Sequence, residues 1–134
     1  MKVKKFPMLL ALMALILSTL ACEFSASTAN ISDAWMSTDE EGTERVTVFA
    51  QETEFYAQVD LQNAPDDTTL KAVWIAVEVQ DTDPNFVINE TEFATGDGQV
   101  HFTLSNDNLW PTGKYKVDLY MNGELANTLE FEVR

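Results

Sequence analysis

The side chains most often used for acid–base or nucleophilic chemistry are scarce in this 134-residue chain, which has one histidine and one cysteine. His101 lies on the polar side of an alternating segment, and a hydrolytic triad needs a serine or cysteine beside it. Ser105 is the only serine after Ser37, and Cys22 is far away along the chain. Carboxylate pairs are expected by chance among 22 acidic residues. We therefore expect no enzymatic activity and no cofactor.

Aspartates in turn-forming clusters are the candidate metal ligands. Calcium prefers oxygen ligands, and Asp81 and Asp83 form an Asp-x-Asp fragment before a proline. The fragment lacks the further ligands and the glycine of a defined calcium loop, and no Cys/His zinc spacing occurs. An Asp-rich turn explains the fragment, so Asp81 and Asp83 are weak candidates and we expect no metal.

Aromatic residues on the polar side of two strands suggest a binding patch. Trp74 alternates with Val73 and Ile75, and Tyr120 follows Leu119, so both rings are expected to point away from the core. Exposed aromatic residues with a polar rim are typical of surfaces that bind proteins or sugars. Two alternatives are that residues 86–93 cover the patch and that the alternation of the Trp74 strand is inverted. The predicted patch comprises Trp74, Tyr120, Ala72, Ala76, Lys116, Asp118 and Thr128.

The first 22 residues have the organisation of an export signal. Lys2, Lys4 and Lys5 precede an apolar run, residues 6–21, that is shorter than the roughly 20 residues needed to span a bilayer. The run Ser18-Thr-Leu-Ala-Cys22 resembles the lipobox of bacterial lipoproteins, with a small residue before the acylated cysteine, although leucine is commoner than Thr19 at its position. The resemblance implies lipidation of Cys22 and attachment to a bacterial membrane on its extracytoplasmic side. The alternatives are secretion after cleavage at Ala21 and an uncleaved anchor.

Charge and composition divide the rest of the chain. After removal of the signal, five basic residues stand against 22 acidic ones, a formal charge of −17 that disfavours nucleic acid as a partner. Residues 23–34 are small, polar and without periodicity, which predicts a flexible tether. We therefore divide the chain into a signal peptide (1–21), a lipidated cysteine with its tether (22–34) and one folded domain (35–134).

Period-two alternation dominates the folded part. Apolar residues alternate with polar ones around Phe55, Val100 and Val117, and weaker strands are expected near residues 46–49 and 86–93. Asn122-Gly123 separates the last two alternating runs and predicts a type I′ hairpin. About seven short strands separated by turn clusters predict an all-β fold, a single antiparallel β-sandwich that follows the signal helix.

The C-terminal run of about 24 residues, Trp110 to Val133, resembles the closing hairpin of bacterial immunoglobulin-like (Ig-like) and fibronectin-III-like extracellular domains. The matching pattern is Trp-Pro-x-Gly-x-Tyr-x-Val, a strand, Asn-Gly and a last strand that ends in Phe-x-Val. The resemblance implies an Ig-like sandwich, in which Tyr115 is either a tyrosine-corner residue or a simple core residue.

These features favour a lipid-anchored, non-catalytic Ig-like module that binds a protein or glycan partner or has an accessory role. The alternative is a cell-envelope spacer or oligomerising module without a ligand. A calcium-dependent or enzymatic role is a residual hypothesis.

Overall fold

The computed structural model describes residues 28–134, so the predicted signal, Cys22 and the first part of the tether lie outside the described residues. Within this range the chain forms strands joined by turns, and no helix is long and apolar enough to cross a membrane. The strands are β1 (Asn30–Ser37), β2 (Val48–Phe49), β3 (Phe55–Gln62), β4 (Thr68–Val79), β5 (Phe86–Thr95), β6 (Gly98–Leu104), β7 (Gly113–Met121) and β8 (Glu124–Val133).

The eight strands form two sheets, one with the order β1-β3-β6 and one with the order β2-β8-β7-β4-β5. All pairings are antiparallel except that of β2 with β8, which is parallel. The buried faces of the two sheets enclose one core, as expected for a sandwich. The predicted all-β sandwich is confirmed, with eight strands rather than about seven.

Strand β1 changes the predicted domain boundary. It begins at Asn30 and pairs with β3 from Asn30↔Gln62 to Ser37↔Tyr56, so residues 30–34 belong to the sheet and not to the tether. This strand is not predicted from the sequence, because a bulge between Ile31 and Asp33 interrupts the alternation of its apolar and polar residues. The boundary predicted at residue 35 is therefore wrong by five residues.

Strand β4 presents the opposite face to the core from the one predicted. Trp74 is only 1% exposed, and Ala72 and Ala76 are also buried, whereas Ile75 and Val77 are only partly buried on the outer face. Both faces of this strand are apolar, so alternation alone does not decide between them. The indole fixes the orientation, because it is the side chain with the most apolar area to bury and the small alanines beside it leave room for the facing sheet.

The turn between β7 and β8 has the predicted conformation, but a register shift in this hairpin moves one apolar side chain to the outer face. Asn122 and Gly123 have φ values of +50° and +84°, the positive pair that a type I′ turn requires. A register shift between Leu119 and Tyr120 places Leu125 opposite Tyr120 on the outer face. Leu125 is consequently exposed, although it has the same parity as the buried residues Phe131 and Val133 of its strand.

Aromatic rings from both sheets meet around Phe55 at the centre of the core. Its ring stacks on Trp110 with centroids 4.6 Å apart, and its edge contacts Phe49 at 5.0 Å and Phe131 at 4.8 Å. Tyr115 packs in the same cluster and donates its hydroxyl to the carbonyl of Pro111 at 2.6 Å. Tyr115 is therefore both a core residue and the hydrogen-bonded residue of a tyrosine corner.

Candidate functional site

The predicted patch is divided between the core and the surface. Trp74, Ala72 and Ala76 face the interior, so the prediction that they form an outward patch is wrong. Strands β4 and β7 are neighbours, and Trp74 pairs with Val117 on the buried side of the sheet. The four remaining residues lie together on the outer face of the five-stranded sheet: Tyr120, Lys116, Asp118 and Thr128.

Asp118 organises the centre of this outer face. Its carboxylate accepts a hydrogen bond of 2.8 Å from the hydroxyl of Thr128 and lies 3.6 Å from the Nζ atom of Lys116. Asp118 is a buried residue, and these two partners compensate the loss of water around its charge. Beside them, the Nζ atom of Lys71 lies 4.7 Å from the centroid of the Tyr120 ring, within cation–π range. All these groups thus have partners within the chain.

Lysines and glutamates form a ladder across the same face. Lys114 lies opposite Glu132 and Lys116 opposite Glu130 between β7 and β8, while Lys71 lies opposite Glu92 between β4 and β5. Opposite charges at facing positions stabilise a sheet by roughly 0.2–1 kcal/mol per pair. Every lysine of residues 28–134 is in this ladder, so the ladder locally offsets charge in a strongly acidic domain.

A shallow groove of about 380 Å³ lies at one end of the face, bordered by Val48, Val77, Lys114, Glu130 and Glu132. Its volume is near the lower end of the range typical of small-molecule sites. Its lining includes a lysine, two carboxylates and the hydroxyl-bearing side chains of Thr47 and Tyr115.

The outer face of the three-stranded sheet carries His101. Its Nε2 atom lies 3.8 Å from a carboxylate oxygen of Glu40, and its ring meets the edge of Tyr56 at 5.8 Å between centroids. Ser37 is buried on this face, and its hydroxyl donates to the carbonyl of Asp39. The serine is thus held in a structural hydrogen bond rather than directed at His101.

A loop of residues 38–44 covers part of this second face, and the sequence gives little sign of it. The buried amide of Gln58 holds the loop by donating to the Ser37 hydroxyl and to the carbonyls of Asp39 and Glu40, at 3.0 to 3.2 Å. Within the loop, the hydroxyl of Thr43 donates to the carboxylate of Asp39 and is the main cause of a lowered pKa for that group. The only sign of this loop in the sequence is Gln58, a polar residue between apolar neighbours. The same pattern is expected of a solvent-facing residue in an alternating strand, so it does not predict a buried amide.

The indole of Trp35 lies beside the same loop. Its N–H donates to the carbonyl of Gly42 at 2.9 Å, and the guanidinium of Arg45 lies 4.0 Å from the centroid of its ring. Arg45 also forms a salt bridge of 3.0 Å with Asp33. One face of the indole is therefore covered by a side chain of the protein itself.

Within residues 28–134, no group of three or more metal-ligating side chains comes together. Asp81 and Asp83 are exposed in the turn between β4 and β5, where Asp81 has a φ of +57°. Aspartate tolerates this left-handed conformation better than most residues, which supports a turn-forming role for Asp81.

No family model and no curated protein sequence matches the chain. The structure is similar to an immunoglobulin-like protein from Pseudomonas aeruginosa, with 14% identity, a TM-score of 0.57, and coverage of 81% of this chain and 98% of that chain. It is also similar to part of an alkylpurine DNA glycosylase from Pseudomonas fluorescens bound to DNA containing an abasic site analog. That match has 16% identity and a TM-score of 0.50, and covers 81% of this chain and 31% of that chain. These similarities concern the fold alone, and they show that the domain is an Ig-like sandwich.

Proposed function

We propose that the protein is an extracytoplasmic bacterial lipoprotein. Acyl chains on Cys22 hold its Ig-like domain at a membrane, where the domain is a non-catalytic binding or accessory module. Ig-like sandwiches have many unrelated functions, so the fold alone does not select this one.

The observation that carries the proposal is the position of Cys22 between the signal-like run and the first strand. It is the only cysteine of the chain, and seven residues separate it from Asn30, where β1 begins. Because an extended chain spans at most about 3.6 Å per residue, such a connection reaches no more than roughly 30 Å. The domain is thus held near the bilayer, and two or three acyl chains are sufficient for stable anchoring.

The surfaces of the domain support a role without catalysis. The outer face of the five-stranded sheet holds paired charges and a shallow groove, and His101 on the other sheet faces Glu40 and Tyr56. A partner protein or glycan fits these open surfaces better than a substrate that must be enclosed.

Lipid attachment is tested by expressing the full chain in a bacterium with an alkyne-labelled fatty acid. The native chain should incorporate the label, Cys22→Ser should not, and the control Ser27→Ala should match the native chain. Intact mass measurement then shows whether the mature chain begins at an acylated Cys22. A mature chain without lipid contradicts the anchor, whichever fraction contains it.

A second candidate function is a spacer, which the Lys–Glu ladder favours because its lysines already lie opposite glutamates of the same sheet. A photoreactive amino acid placed at Tyr120 or at Tyr56 samples the outer faces of the two sheets. Discrete cross-linked products in intact cells support a binding module. The absence of products from both positions supports the spacer.

A further inference from the structure

The outer face of β4 is apolar. Residues 72–77 of this strand are all apolar, so its outer side has Val73, Ile75 and Val77 where its inner side has Trp74. Antiparallel strands with one solvated face normally alternate apolar and polar residues, whereas an unbroken apolar run is typical of a strand covered on both faces. Ile75 and Val77 nevertheless stay partly exposed. The chain itself thus completely covers only one of the two apolar faces of β4.

The other inner strands of the sandwich have polar outer faces, so strand propensity alone does not explain the aliphatic residues of β4. The outward residues are Tyr56, Gln58 and Asp60 on β3, Lys114, Lys116, Asp118 and Tyr120 on β7, and Leu125, Thr128, Glu130 and Glu132 on β8. Among these strands β8 alone adds an outward aliphatic residue, at its hairpin end. A row of aliphatic side chains is therefore particular to β4.

Neighbouring strands enlarge this apolar surface. Val87 of β5 lies opposite Ile75 on the outer side and is 48% exposed. Val48 of β2 is 43% exposed and, with Val77, borders the groove of about 380 Å³. We call Ile75, Val77 and Val87 the apolar stripe, since Val73 is only 7% exposed. A contiguous apolar surface beside a groove is typical of an interaction site, unlike apolar residues scattered singly.

Charges beside the stripe indicate the charge of its partner. On one side, Lys114 and Lys116 already lie opposite glutamates of β8. On the other side, Glu90 of β5 lies opposite Val73 rather than opposite a lysine. The chain as a whole has a formal net charge of −14. A basic partner is therefore attracted over a distance and can pair with Glu90 on contact, whereas a second copy of this acidic chain is repelled.

We propose that the apolar stripe and the adjoining groove bind a basic partner protein. Aliphatic side chains of the partner cover Ile75 and Val87, one apolar side chain enters the groove between Val77 and Val48, and a lysine or arginine lies at Glu90. Binding by this face completes the burial of β4 on both of its sides. It also assigns a role to the apolar run that made the orientation of Trp74 ambiguous in the sequence.

The inference rests on the proposed binding function but not on the lipid anchor. The full chain in non-ionic detergent is used to select binders from a displayed library of short random peptides. We expect the selected peptides to combine aliphatic residues with lysine or arginine. Nuclear magnetic resonance of isoleucine and valine methyl groups then maps the contact, and the methyl signals of Ile75, Val77 and Val87 should shift on peptide addition.

Val87→Thr tests the apolar contact, because threonine keeps the branched shape of valine and replaces one methyl group with a hydroxyl. Peptide affinity should fall about tenfold, since the methyl contact is lost and the hydroxyl is covered without a partner. Leu109→Thr is the matched control, because Leu109 is 62% exposed but lies in the loop before β7. Its affinity should stay within about twofold of the native value, since it lies outside the proposed contact.

Glu90→Gln tests the charge contact. It should weaken binding about threefold at low salt and reduce the salt dependence, as expected for one exposed ion pair. Glu124→Gln is the control, because Glu124 is also exposed but lies at the hairpin end of β8. Equal effects of these two variants would mean that the acidic chain attracts basic peptides without a defined contact, and would overturn the inference.

Other results would overturn the inference as well. They are equal losses in Val87→Thr and Leu109→Thr, selected peptides without basic residues, and dimers of the chain that shift the methyl signals of the stripe. Peptides that map to the three-stranded sheet overturn it but leave the binding function in place, whereas failure to select any peptide counts against both. The lipid label of Cys22 is independent of all these results.

Discussion

The indole of Trp74 stacks against the ring of Phe55, with centroids 6.3 Å apart and planes inclined by 28°. Phe55 lies on β3 and Trp74 on β4, so the contact joins the two sheets at the centre of the core. A residue that the alternation placed on the surface is thus one of the largest completely buried side chains of the domain.

Trp74→Ala should destabilise the domain by about 3–5 kcal/mol, because it removes a large buried side chain and leaves a cavity between the sheets. Chemical denaturation followed by tryptophan fluorescence and circular dichroism measures the change. Tyr120→Ala, on the outer face, is the control and should cost far less. Equal losses in the two variants would mean that the Trp74 strand does face solvent.

Gln58→Leu should free the loop of residues 38–44. The variant removes the buried amide that donates to Ser37 and to the carbonyls of Asp39 and Glu40, and unpaired buried groups cost about 1–3 kcal/mol. Faster hydrogen exchange in the loop, with exchange in β7 unchanged, is the expected result. Gln62→Leu, at an exposed position of the same strand, should leave exchange in the loop as it is. A loop that stays protected in Gln58→Leu contradicts the anchoring role.

Gly123→Val should weaken the β7–β8 hairpin through backbone strain. A side chain at this position meets open space, so the cost comes from the φ of +84° and not from a clash. Strain of this kind costs on the order of 1–3 kcal/mol for a residue that avoids positive φ. Gly123→Asn is the control and should be milder, because asparagine tolerates this region. Thermal melting compares the two, and identical melting temperatures would exclude a type I′ turn.

Tyr115 should make stability fall at high pH. Burial raises the pKa of its hydroxyl to about 12 from an ordinary value of 10, so the unfolded state ionises first. The contribution is therefore complete below pH 10 and is lost as the pH rises towards 12. Tyr115→Phe should cost about 1 kcal/mol at neutral pH, from the lost hydrogen bond to Pro111, and should flatten the decline. Denaturation at several pH values tests this, and an equally steep decline in the variant would contradict it.

The sequence predicted the fold better than the site, and the reason lies in particular strands. Around Phe55 and Val117, polar and apolar residues alternate strictly, so one face is assigned to the core without ambiguity. On β4 both faces are apolar, and only the packing of the opposite sheet decides that Trp74 is buried. Bulges at Ile31 and Leu119 shift the register of the strand pairs, and the positions of bulges cannot be located from the alternation of residue types.

The predicted candidate site depended on the orientation of β4, which contains Trp74, Ala72 and Ala76. Tyr120, Lys116, Asp118 and Thr128 share a face as expected, because the alternation along β7 continues from Lys116 to Tyr120 and Thr128 lies opposite Asp118.

The parallel pairing of β2 with β8 has a mechanical consequence. The amide of Glu132 donates to the carbonyl of Thr47 and that of Arg134 to the carbonyl of Phe49, close to the last strand's end. Asn30 and Val133 lie at opposite ends of the sandwich, so a pull between them runs along the strands. Such a force loads the β2–β8 hydrogen bonds together, in shear, rather than opening them one at a time. The resistance of the domain to such a pull therefore depends on these hydrogen bonds breaking at the same time.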